Sequence, residues 1–365
     1  MEVVAGLSLK NLQPRVWDPQ SPFYLPELTA IMVSYADFKR MTAQRRAAMR
    51  QGLRQYLGVP DHVSIYLDNG AFYFSSKGGE PTDEEYQCFV QQAKPDWRPI
   101  RFDWIPAPQM AWQTQAACFR KTMVMNLHYQ HDGYVPVIHA GRYLGQYIDA
   151  IEQCPRLAAK ECIALGGLVP NLLRTPKAAA YDSILDDLLT VRNRFAGKRI
   201  HVFGIGGTAT LHLAALLGFD SADSSGWRNR AARGIIQLPG SGERRVAKLG
   251  KWKGRTPSAE EWKDLATCRC PACQFSGVNG LCASGIQGFM NRATHNLWVL
   301  LEEVRWVAEQ LDRGSYERCY RRRLQNTIYL PILDKLLARL MGHDKPGKNC
   351  GVQPRMVADP NSATP

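Results

Sequence analysis

Short apolar runs recur along the first two-thirds of the chain, rich in β-branched residues and too short to be the buried face of a helix. They are Ile31-Met-Val-Ser-Tyr35, Val63-Ser-Ile-Tyr-Leu67, Ile100-Arg-Phe102, Val135-Pro-Val-Ile138, Cys162-Ile-Ala-Leu165 and Ile200-His-Val-Phe203. Runs of this length between turn-forming residues predict buried strands. The stretches between them carry apolar residues three and four apart. Phe38 to Tyr56, Tyr143 to Ala159 and Ser183 to Phe195 are therefore expected as amphipathic helices. Strand–helix alternation over about 200 residues predicts a parallel sheet. A seventh strand is expected before Asp223, and an eighth is not legible. From Glu243 to Thr267 the pattern turns polar, basic and poor in strand signal. His295-Asn-Leu-Trp-Val-Leu-Leu-Glu-Glu-Val304 then opens a helical pattern that runs to about Leu311. Asp344 to Pro365 has no periodicity and predicts a flexible tail.

Composition narrows the class. Of 365 residues, 45% are hydrophobic and 22% charged, which is ordinary for a soluble globular protein. No apolar run approaches the roughly 18 residues of a membrane span. Met1-Glu-Val-Val-Ala-Gly-Leu-Ser8 lacks the features of a secretory signal. The ten cysteines are scattered except for one trio, as expected of a chain in a reducing cytoplasm rather than a disulfide framework.

Charge points to a partner. The net charge is +13, which favours a polyanion. Arg228, Arg230, Arg233, Arg244, Arg245, Lys248, Lys251, Lys253 and Arg255 share one window, with Trp227 and Trp252 interleaved as a base-stacking surface would require. A second basic cluster is Arg318-Cys-Tyr-Arg-Arg-Arg323.

The clustered cysteines form Cys268-x-Cys270-x-x-Cys273, with His295 beyond 21 intervening residues. Three thiolates and an imidazole predict a closed tetrahedral zinc site. Four protein ligands leave no open position, so the zinc is expected to be structural, one per chain, tying a loop to a helix start.

The residues just past the predicted strands are Asp68-Asn69-Gly70, Asp103, His139-Ala140-Gly141, Gly166-Gly167, Gly204-Ile205-Gly206-Gly207 and Asp223. Each alone reads as a turn or cap. Together they look like the active-site face of an α/β barrel, built at strand C-termini. Gly204-x-Gly206 lacks the third glycine of a dinucleotide fingerprint.

Taken in order, these motifs resemble the tRNA-guanine transglycosylase (queuine tRNA-ribosyltransferase) family over roughly residues 60 to 310. The resemblance rests on the cysteine–histidine pattern and on Tyr66-Leu-Asp-Asn-Gly-Ala-Phe72, Arg101-Phe-Asp-Trp104, Ala164-Leu-Gly-Gly-Leu168, His201-Val-Phe-Gly-Ile-Gly-Gly207 and Gly218-Phe-Asp-Ser-Ala-Asp223. It implies a zinc-bearing (β/α)8 TIM barrel that swaps guanine in a nucleic acid for a 7-deazaguanine. The barrel is expected over 1–240, a zinc-binding subdomain with C-terminal helices over 241–343, and the tail over 344–365. It also implies that Asp223 is the nucleophile at the anomeric carbon and Asp68 the general acid/base, the double displacement of a retaining glycosidase. Asn69, Phe72, Asp103, His139, Gly166, Gly167, Phe203 and Gly204 would form the base pocket. Asp103 would accept from the guanine edge, and Phe72 and Phe203 would sandwich the base. His139 stands where the family has Gln.

After Asp223 the family's tRNA enzymes usually carry Leu-Pro-Thr-Arg. This chain has Ser224-Ser-Gly-Trp-Arg-Asn-Arg-Ala-Ala-Arg-Gly234 instead, which is more similar to the DpdA-type branch that places bases such as preQ0 into DNA. DNA is therefore the expected substrate, with partner proteins of a DNA-modification system. A tRNA enzyme is the first alternative and a catalytically silent nucleic-acid-binding member the second. Trp227, Arg228 and Arg230 are expected to touch the nucleic acid near the flipped guanine.

Overall fold

The structure is a computed structural model of the chain and describes residues 1–131, 133–173, 175–240, 242–325 and 327–342. The tail expected over 344–365 lies outside the described residues. Seven parallel strands form one curled sheet: β1 (Glu2–Gly6), β2 (Ala30–Ser34), β3 (Ser64–Asp68), β4 (Val137–His139), β5 (Cys162–Gly166), β6 (Arg199–Val202) and β7 (Ser221–Ser224), in the order β3-β2-β1-β7-β6-β5-β4. Segment 97–100 joins the two edges. Trp97 bridges to Tyr66 and Pro99 to Val135, both parallel. Leu67 N donates to the Trp97 carbonyl at 2.8 Å, and Val135 N donates to the Arg98 carbonyl at 2.9 Å. Eight extended stretches thus follow one another around a ring in chain order, as in a (β/α)8 barrel. The stretch that sequence pattern left unread is β1. Its Glu-Val-Val-Ala-Gly is short and its pairing with β2 and β7 is entirely non-local.

The strands are apolar because both faces are covered. Val4, Ala5, Ala30, Ile31, Ile65, Leu67, Ile163, Ala164, Leu165, Ile200 and Val202 are all inaccessible to solvent. Helices return the chain outside the ring, including Asp83–Ala93, Trp112–His128, Leu144–Gln153, Tyr181–Arg194 and Thr208–Leu216. The expected helix 38–56 is three pieces, Tyr35–Arg40, Thr42–Gln51 and Leu53–Leu57, broken at Met41, which leaves helical geometry, and at Gly52, which adopts φ 79°. Trp112–His128, with Asn126 and Thr122 buried on its inner face, was obscured in the sequence by those polar positions.

After β7 come the short helix Gly226–Ala232 and an antiparallel hairpin, β8 (Ile235–Leu238) with β9 (Gly242–Arg245). Three helices follow: Ala259–Ala266, Pro271–Cys282 and the 28-residue Gly285–Asp312. The last packs on β1, β8, Gly226–Ala232 and Thr208–Leu216. It begins ten residues before His295, so His295 stands within a helix rather than at its start. A buried polar clamp holds this helix to the barrel. Glu303 accepts from Gly240 N at 3.1 Å and from Arg323 Nη2 at 2.9 Å, and meets His212 Nε2 at 2.6 Å. The other nitrogen of His212 lies 2.7 Å from the Tyr316 hydroxyl. A carboxylate this deep is tolerable only with such complete pairing.

Candidate active site and metal centre

The parallel register brings the C-terminal residues of the strands to one end of the ring. Ser34 on β2 pairs with Asp68 on β3, and His139 on β4 pairs with Gly166 on β5. Asp223 lies one residue before the end of β7. Asp220, three residues earlier, is at the opposite end of that strand. Its carboxylate accepts from Ile200 N at 2.8 Å and faces Arg192, a strand-entry cap remote from the other acids.

Three carboxylates converge. Burial pushes the Asp68 carboxyl up to about 6, hydrogen bonds from Ser34 and Gly70 oppose this, and the negative charges of Asp223 and Asp103 add to it. Asp103 is buried and has one partner at each carboxylate oxygen. Asn69 Nδ2 donates to Oδ1 at 2.9 Å, and His139 Nε2 lies 2.8 Å from Oδ2. Asn69 also donates to the Ile100 carbonyl and accepts from Ala71 N, each at 2.9 Å, so its amide is fully engaged. His139 Nδ1 meets the Tyr147 hydroxyl at 3.2 Å. The residue that replaces glutamine in the resemblance is thus held between Asp103 and Tyr147.

Gly166 has to be glycine here. A Cβ at this position would lie 2.9 Å from the His139 ring. Gly204, at φ 74°, donates its N–H to Asp223 Oδ1 at 2.6 Å. Phe203 is half-buried and packs edge-on to Trp97 and His201. Phe72 is 79% exposed, so of the two rings expected to sandwich a base, it is the one free to move onto a ligand. A cavity of about 220 Å³ opens beside this cluster, lined by His139, Gly141, Phe119, Tyr143, Arg142 and Lys177 among others.

The expected nucleic-acid residues divide. Trp227 is fully buried and donates Nε1–H to the Gly6 carbonyl at 3.1 Å. Arg228 is buried against the Trp227 and Phe289 rings and donates to the carbonyls of Gln13 and Asn11, and burial pulls it down to about 10. Neither presents a surface to a nucleic acid, which corrects the expectation drawn from their closeness to Asp223 in sequence. The chain turns into helix Gly226–Ala232 and packs beneath Gly285–Asp312 instead of forming a mouth loop. Arg230 pairs with Glu243, Arg244 is buried in a pair with Glu261, and Arg245 donates to the Trp252 carbonyl. Arg233, Lys248, Lys251 and Lys253 remain exposed. Sequence pattern did not single out Ser34 or Tyr147. Ser34 was findable as a polar residue ending an apolar run. Tyr147 was not, because only helix packing aims it at His139.

Cys268, Cys270, Cys273 and His295 bring their ligand atoms within 4.8 Å of one another. Each sulfur lies 3.6 Å from His295 Nδ1. Tetrahedral coordination with ordinary zinc–sulfur and zinc–nitrogen bond lengths places sulfur and nitrogen about 3.6 Å apart, so the group can hold such an ion. His295 Nε2 lies 3.0 Å from the Gln237 carbonyl, which directs Nδ1 toward the thiols. Cys268 and Cys270 come from the turn before Pro271–Cys282, Cys273 from the first turn of that helix, His295 from within Gly285–Asp312, and the carbonyl from β8. A bound ion would cross-link all three.

Fold and site together define a parallel α/β barrel with an acidic cluster at its strand C-termini and a Cys3His group beyond it. The chain belongs to the queuine tRNA-ribosyltransferase family, whose profile matches residues 34–328. It is 27% identical over 175 residues to a tRNA-guanine(15) transglycosylase of Sulfolobus acidocaldarius. That alignment covers 47% of this chain and 32% of the relative, so the chain spans about a third of the length of the curated relative it matches. Among the described residues no helix is long and apolar enough to cross a membrane.

Proposed function

We propose that this chain exchanges guanine in a nucleic acid for a 7-deazaguanine base through a covalent bond between Asp223 and the sugar, and that the nucleic acid is DNA. The observation that carries the exchange chemistry is the convergence of Asp68, Asp103 and Asp223, with the Asp68 carboxyl raised to about 6. A group near that value both gives and takes a proton at neutral pH. Asp103 offers its remaining lone pairs to the N–H groups of the guanine edge. As C1′–N9 breaks, a carboxylate oxygen of Asp223 bonds to C1′, and Asp68 delivers its proton to the departing purine. The incoming base returns a proton to Asp68, its ring nitrogen attacks C1′, and Asp223 leaves as carboxylate. Two inversions retain the anomeric configuration.

DNA is favoured by the segment after Asp223, which lacks Leu-Pro-Thr-Arg and packs into the interior as helix Gly226–Ala232. The Sulfolobus relative is named for tRNA, which supports tRNA as the second reading. Exposed Arg233, Lys248, Lys251 and Lys253 supply cations for either phosphate backbone. Zinc at Cys268, Cys270, Cys273 and His295 is structural in this reading. Exchange of labelled guanine into DNA and tRNA, run in parallel with wild type and Asp223→Asn, tests the proposal. Incorporation into DNA by wild type alone supports it. Incorporation into tRNA only moves the substrate to the second reading, and incorporation by the Asn variant removes Asp223 as nucleophile.

A further inference from the structure

One buried polar atom beside the acidic cluster has no hydrogen-bond partner. His201 is fully buried on β6, with its ring in the barrel interior between Tyr66, Trp97 and Phe203 at centroid distances of 5.5, 4.9 and 4.9 Å. Its Nε2 makes no hydrogen bond and lies 3.6 Å from Asp223 Oδ1, the oxygen that also receives the Gly204 N–H. Its Nδ1 lies 2.8 Å from Ser221 Oγ.

The far side of the ring sets the direction of this contact. The Ser221 hydroxyl can donate to Nδ1. The one proton of the neutral imidazole then stands on Nε2, a donor aimed at Asp223 Oδ1. In the other tautomer Nε2 would be a bare lone pair aimed at a carboxylate oxygen, which the Asp223 charge disfavours.

We propose that His201 is a positioning residue for Asp223, holding Nε2 3.6 Å from Oδ1 so that a small approach lets it donate as charge returns to the carboxylate. The inference rests on Asp223 being the nucleophile. The consequence falls unequally on the two half-reactions. When Asp223 is bonded to C1′ its charge is gone, and the His201 contact is worth least. When the incoming base attacks C1′ and the Asp223–C1′ bond breaks, the electron pair returns to the carboxylate, and the His201 and Gly204 donors stabilise it. His201 thus favours release of the sugar over its retention. The sequence showed His201 only as part of a motif, since the contact needs β6 and β7 side by side.

The experiment captures the covalent adduct on a denaturing gel, using a guanine-containing tRNA transcript or single-stranded DNA, whichever wild type captures, and then chases it with excess guanine. His201→Phe, which keeps the ring and removes both nitrogens, should lengthen the chase half-life at least tenfold while guanine release in the first half changes by less than threefold. His201→Gln, whose amide can donate to Asp223, should recover part of the chase rate. Ser221→Ala should slow the chase in the same direction by removing the hydroxyl that holds Nδ1 and keeps the ring proton on Nε2. A chase at the wild-type rate in His201→Phe overturns the proposal, as does equal slowing of both halves in His201→Phe, His201→Gln and Ser221→Ala. If His201→Phe fails to fold, the ratio of the two half-reactions in Ser221→Ala and His201→Gln decides. An adduct that forms in Asp223→Asn, or none with wild type on either nucleic acid, overturns the nucleophile assignment itself and is distinguishable from failure of the His201 role.

Discussion

Replacing Asp68 by asparagine should stabilise the fold, and more so at pH 7.5 than at pH 5. The native carboxyl titrates near 6 instead of near 3.8, because burial and the neighbouring Asp223 and Asp103 charges disfavour its ionised form. The native state therefore holds this proton over a range in which the unfolded state has lost it. The resulting penalty is absent below the unfolded value, grows as pH rises from 3.8 to about 6, and is constant above. The full shift corresponds to at most about 3 kcal/mol, since the carboxyl keeps some contact with solvent. Between pH 5 and pH 7.5 the linkage integral changes by about 1.4 kcal/mol. Asparagine cannot ionise, so the stability difference between Asp68→Asn and wild type should grow by about that amount across the interval. Urea unfolding of both proteins at the two pH values measures it. The same shift makes guanine release fall as pH rises through about 6, where the acid form disappears, and single-turnover release on wild type follows that directly. An Asp68→Asn effect identical at pH 5 and pH 7.5, with guanine release flat across pH 6, would refute the reasoning.

Three further outcomes are expected. Chelation of the metal, or Cys270→Ala, should lower the melting temperature and soluble yield together, with about one zinc per chain lost on metal analysis, because the ion would cross-link two helices and β8; a metal-free chain with an unchanged melting temperature would contradict this. Trp227→Ala should cost about 3–5 kcal/mol of stability, as truncation of a buried Trp does, whereas a well-folded variant with only weakened nucleic-acid binding would return Trp227 to the interface. Charge reversal at Lys251 and Lys253 should weaken binding to DNA and tRNA without moving the melting temperature, and should reduce the salt slope by about one for each lysine that meets a phosphate; unchanged salt dependence would place the polyanion elsewhere.

What the sequence determined by itself was whatever depends on neighbours along the chain. The apolar runs at 31–35, 63–67, 162–165 and 200–203 mark strands because a buried parallel strand is apolar on both faces, whatever it pairs with. Cys268, Cys270 and Cys273 announce a metal group because ligand spacing is local. Asp68, Asp103 and Asp223 stand out because barrel chemistry gathers at strand ends. What only the tertiary structure decided was burial and direction across the ring. Glu2–Gly6 became a strand through its pairing with β2 and β7, partners some 25 to 220 residues away along the chain. Trp227 and Arg228 looked like a nucleic-acid contact from their place after Asp223, yet they fill the space between Gly6, Gln13 and Phe289. His201 looked like one letter of a motif until β6 and β7 set it beneath Asp223. The division has one physical cause: backbone propensity and ligand spacing act within a few residues, whereas desolvation and hydrogen-bond partnership are properties of position in the folded barrel.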